Sequence, residues 1–111
     1  MSTPFPSASI YTTDLRRSDC RSAQIQAFLS TLEYIAPGIQ RVGAKLNVNQ
    51  VRFANSADQI LSEELATQLN SKYHGLDVQT ESIGAYATRQ GIHSSLRVLE
   101  LWLRPHPDVD V

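Results

Sequence analysis

Cys20 is the single thiol of the chain, with Arg17 before it and Arg21 after it. If a helix opens here, the partial positive charge of its first turn and the two guanidinium groups stabilise the thiolate, the reactive form of cysteine. Ser18 or Asp19 supplies the side-chain oxygen that caps such a helix. A lone thiol has no resolving partner in its own chain, so neither an intrachain disulfide nor an internal dithiol cycle is open to it. His74, His93 and His106 have no second histidine or cysteine three or four residues away to share a metal ion. Glu63 and Glu64 are adjacent, and adjacent side chains on a helix diverge by about 100°, which suits solvation better than paired acid–base work. Glycine-rich phosphate loops and the G-x-S-x-G elbow are both missing from the sequence. No cofactor, metal or catalytic residue is expected from these patterns. An enzyme site, as an alternative, would involve Cys20, Arg17 and His93 near the N-terminus of the first helix.

Two segments resemble known families. Ile10-Tyr11-Thr12-Thr13-Asp14, running on to Cys20, resembles the opening of glutaredoxin-like domains, which implies a strand leading to a helix that begins at a redox-active thiol. The resemblance stops at Gln24: Arg17 stands three residues before Cys20 where a second cysteine belongs, and no Thr-Val-Pro loop follows. Residues 44–53 resemble the turn and recognition helix of helix-turn-helix proteins, which implies a DNA-binding regulator with Asn49, Gln50 and Arg52 at base edges. Against that alternative, Val42, Ala44, Leu46 and Val48 repeat every second residue, whereas a scaffold helix repeats every 3.6.

The elements that would position any site follow from the apolar spacing. Pro4 and Pro6 make residues 1–7 an extended lead-in, and Ala8 to Thr13 has the content of a short strand. Ile25, Phe28, Leu29, Leu32 and Ile35 form one helical stripe, closed by Pro37-Gly38. The alternation from Arg41 to Asn49 predicts a strand, a turn near residues 47–50, and a second short strand through Val51 and Phe53. Ser56 and Gln59 have the spacing of a capping box ahead of Ile60, Leu61, Leu65, Leu69 and Tyr73, with Gly75 as the stop. Leu76, Val78 and Thr80 predict a half-buried strand, extendable to Thr88, and Arg89-Gln90-Gly91 a turn. Leu96 to Leu103 is apolar on both faces, and Pro105 and Pro107 open a short tail over residues 105–111.

In order these elements read β-α-β-β-α-β with an added C-terminal strand. The expected class is α+β, a two-layer α/β sandwich of ferredoxin-like arrangement, with two helices on one face of the sheet. At 111 residues the chain has room for one domain, and 41 % apolar against 19 % charged residues is enough to fold without a partner. A formal net charge of -1 lacks the positive field that gathers phosphates, so nucleic acid is not the expected partner. No run of eighteen apolar residues and no signal-peptide pattern occurs, so the expectation is a soluble, cytoplasmic protein without membrane contact. Two amphipathic helices cover one sheet face only, so some of Leu99, Leu101, Trp102 and Leu103 are expected to meet another chain. The function expected is a small non-catalytic protein-interaction or assembly module, forming a homo-oligomer or docking on a protein partner through its sheet face or last strand.

Overall fold

The computed structural model describes residues 5–12, 20–43, 46–84 and 97–104. Within them the elements are β1 (Ser7–Thr12), α1 (Cys20–Thr31), β2 (Ile39–Arg41), β3 (Asn49–Phe53), α2 (Gln59–Lys72), β4 (Val78–Ser82) and β5 (Val98–Leu103). One turn of 3-10 helix, Ser56–Asp58, leads into α2. The class is α+β and the linear order matches the expected β-α-β-β-α-β plus a last strand. The sheet order does not follow the ferredoxin-like pattern: it is β2-β1-β5-β3-β4. β1 runs parallel to β2 and to β5, while β3 is parallel to β4 and antiparallel to β5. Two β-α-β units thus run in opposite directions, and the last strand lies between them.

This central place follows from the composition of β5. Leu99, Leu101 and Leu103 are fully buried and register with Ala8, Ile10 and Thr12 on one side. On the other side Leu101 pairs with Val51 and Leu99 with Phe53. The helices close over this face, where Ile25 and Leu29 of α1 and Leu65 and Leu69 of α2 join the same apolar cluster. The expectation that these leucines need another chain to cover them is therefore corrected: β5 is hydrogen-bonded on both edges, and its leucine face is covered within the chain. Only Trp102 of the four proposed interface residues points to the opposite face.

Local departures from the sequence reading have local causes. α1 stops at Thr31 rather than at Pro37, because the Tyr34 N–H closes on the Leu29 carbonyl at 3.0 Å and Glu33 takes a left-handed φ of 64°. Ile35 therefore leaves the helical stripe and forms an isolated bridge with Ser7. Of the strand expected from Arg41 to Asn49, residues 42, 43 and 46–48 are not in a strand and residues 44 and 45 lie outside the described residues; β2 is a three-residue edge strand that ends at Arg41, paired to β1. Residues 49–53 are a strand, so no recognition helix is present there. The capping box fails too. Ser56 sits in the 3-10 turn, Asp58 is the N-cap without a side-chain cap bond, and Ile60 points outward at 70 % exposure. Gly75 does end the α2 region, with φ 87°. The predicted extension to Thr88, the turn at Arg89 to Gly91, and Leu96 lie wholly or mostly outside the described residues.

Three polar side chains stitch the layers. Buried Asn49 donates to the Leu76 carbonyl at 2.6 Å and accepts from the Arg104 N–H at 2.8 Å, tying β3 to the ends of two neighbours. Asn70 grips Val78 through both its N–H (2.7 Å) and its C=O (3.1 Å), as a neighbouring strand would. Asp58 is buried, and both of its oxygens accept from the Arg97 N–H, at 3.0 and 2.9 Å, where the chain turns into β5.

Candidate interaction surface

Strand alternation sends the residues between the core positions to the opposite face of the sheet. That face carries Ser9 and Tyr11 from β1, Glu100 and Trp102 from β5, Gln50 and Arg52 from β3, and Gln79 and Glu81 from β4. The helices α1 and α2 lie on the other side, and these residues are half-buried or exposed.

At its centre three strands bring three flat groups together. The Tyr11 ring stacks on the Trp102 indole with centroids 4.6 Å apart and planes 17° from parallel. From β3, the Arg52 guanidinium carbon lies 4.2 Å from the Trp102 ring centroid. Side-chain hydrogen bonds hold the geometry: the Trp102 Nε1–H donates to Glu100 Oε1 at 2.9 Å, and the Arg52 Nε–H donates to Gln50 Oε1 at 3.1 Å. Partial burial raises the Tyr11 pKa, the Glu100 charge adds to the rise, and a hydrogen bond with Ser9 partly offsets it. The phenol stays neutral at physiological pH. Beside Tyr11 lies an open cavity of about 310 Å³ between β1 and β2, with Ser9, Ile39 and Gln40 on its walls.

A second cavity of about 310 Å³ lies elsewhere, walled by Tyr34, Glu64, Gln68 and Arg97 with Phe5, Leu32 and Leu61. Burial first and the Glu64 charge second push the Tyr34 hydroxyl up to about 12, against the opposing effect of Arg97. An unfolded tyrosine ionises near 10, so between those pH values the unfolded chain gives up this proton before the folded one does. Stability held below pH 10 is therefore lost as pH rises toward 12. Urea titrations from pH 9 to 12 should show Tyr34→Phe losing less stability over this interval than the parent; an equal loss would mean that Tyr34 is not the group responsible.

Of the chemistry-bearing residues singled out in the sequence, few come together. Cys20 is the first residue of α1, but its side chain, Arg17, His93 and His106 lie outside the described residues. His74 is exposed beyond the end of α2, and Glu63 and Glu64 are exposed on it. Arg21 instead reaches the Arg104 carbonyl at 2.5 Å, tying the first turn of α1 to the end of β5. Among the described residues no group of three His, Cys, Asp or Glu side chains could hold a metal ion, and no helix is long and apolar enough to cross a membrane. Tyr11 and Glu100 are not singled out by the sequence as members of a surface, and Gln50 and Arg52 only as base-reading residues of a helix, where the structure has a strand. Their only sequence signal was alternate placement on short strands, and the pairing that unites them joins opposite ends of the chain. Comparison with protein-family models, with curated proteins and with solved structures found no match to this chain, so its residues and geometry alone carry the functional reading.

Proposed function

We propose that this chain is a small non-catalytic protein-interaction module that self-associates reversibly through its open sheet face. The observation that supports it is the Tyr11–Trp102–Arg52 stack on the sheet face opposite α1 and α2, which among the described residues carries no helix. Tryptophan, tyrosine and arginine dominate interface hot spots, because they bury large areas at low entropic cost. Arg52 lies among Glu81 and Glu100, so a second copy rotated by a two-fold axis can set opposite charges against each other. The same mixture of signs does not favour phosphate, which leaves nucleic acid the weaker reading. A reducing, cytoplasmic setting belongs to the proposal, since the single cysteine suits it.

The size of the face sets the expected strength. Five strands about 4.8 Å apart and about 17 Å long give a flat footprint of about 400 Å², roughly half of what each partner buries in a stable complex. Association weaker than about 1 µM is expected. Sedimentation velocity over a concentration series should show the mass rising toward a dimer, and Trp102→Ala should weaken it at least ~30-fold, the effect of losing a hot spot. A parent protein that stays monomeric throughout would remove the proposal.

A further inference from the structure

We propose that the cavity bounded by Tyr34, Glu64 and Arg97 binds a free α-amino acid with an apolar side chain. Charges of both signs line this cavity, Arg97 against Glu33 and Glu64. The Arg97 Nε is buried and has no hydrogen-bond partner, which is costly unless an acceptor arrives. Glu64 lines the same cavity, and the Tyr34 hydroxyl feels both charges. An anion alone would meet Glu33 and Glu64, and a cation alone would leave Arg97 unanswered. A zwitterion satisfies both: its carboxylate takes hydrogen bonds from Arg97 and Tyr34, and its ammonium group faces Glu64.

The remaining walls supply the specificity. Phe5, Leu32 and Leu61 give the side chain an apolar surface, and about 310 Å³ is at the small end of ligand-sized cavities, which suits one amino acid rather than a peptide. The backbone points to the same place. Of three non-glycine residues with left-handed φ among the described residues, Glu33 and Arg97, both at 64°, line this cavity. Such strain concentrates where side chains are held for binding. Asp58 fixes the Arg97 backbone at the edge of the cavity.

The test is a titration of the ¹⁵N-labelled full chain followed by amide chemical shifts, with L-leucine as the added compound. L-leucine amide lacks the carboxylate and 4-methylpentanoate lacks the amine. L-leucine should give saturable shifts around Tyr34, Glu64 and Arg97 and leave Trp102 unmoved, and each analogue should bind at least ~10-fold more weakly, the effect of one lost charge-assisted contact. Glu64→Gln, on an exposed helix surface, should keep the parent spectrum, weaken L-leucine at least ~10-fold and bind 4-methylpentanoate no more weakly than the parent does, since a charge that repels a lone carboxylate is gone. No saturable shift with L-leucine, equal binding of 4-methylpentanoate, or an unchanged affinity in Glu64→Gln would each overturn the proposal. None of these outcomes bears on the sheet face, which lies elsewhere.

Discussion

Leu101→Asp should abolish folding rather than alter association. Leu101 is fully buried at the middle of the central strand, paired to Ile10 on one side and Val51 on the other, under the two helices. Truncation of such a leucine to alanine costs about 2–5 kcal/mol, out of a total stability of about 5–15 kcal/mol for a domain of this kind. Aspartate adds an unpaired carboxylate in the same apolar site, which takes the loss past what the fold can bear. Far-ultraviolet circular dichroism should show Leu101→Ala folded with a lowered urea midpoint, and Leu101→Asp unfolded. A folded Leu101→Asp protein of reduced mass would mean that this leucine face meets another chain.

The second large effect is expected at Asp58. Its carboxylate is buried and spends both oxygens on one backbone N–H, that of Arg97, instead of capping α2. The bond holds Arg97 in its left-handed conformation and starts β5 in register. Asp58→Ala removes a charge-assisted bond and strands the Arg97 N–H, a cost of about 3 kcal/mol. For a chain of this length that corresponds to a fall of roughly 10 °C in Tm. Asp58→Asn keeps one acceptor oxygen and should fall between the parent and the alanine variant. A Tm within a degree or two of the parent for Asp58→Ala would show that the register of β5 is set elsewhere.

Both effects depend on long-range pairing, and that is where sequence reading was weakest. Leu65 and Leu69 marked α2 correctly because helix spacing is local, and the alternation of Leu99, Leu101 and Leu103 against Trp102 was visible as a strand. What could not be read was the partner of that strand. A run with large apolar side chains on both faces fits an edge awaiting another chain as well as a centre, and only the register with β1 and β3 decides. Caps misled for a different reason: Ser56 and Gln59 have the right spacing, but Asp58 commits its carboxylate to Arg97, far away in sequence. Alternation misled at Val42, Leu46 and Val48, which keep period two yet lie outside any strand. The candidate surface was legible only in part. Trp102 was singled out in the sequence, while Tyr11 and Arg52 became its neighbours through the order β1-β5-β3.

Trp102 is also the only tryptophan of the chain, so its emission reports on the open sheet face without labelling. The most direct test of the central claim is Trp102 fluorescence and acrylamide quenching across a concentration series, read beside the solution mass. Self-association through this face predicts that emission shifts to shorter wavelength and quenching falls as the mass rises toward a dimer. A rising mass with unchanged quenching would place the contact elsewhere, and a constant monomer mass with constant quenching would contradict the account.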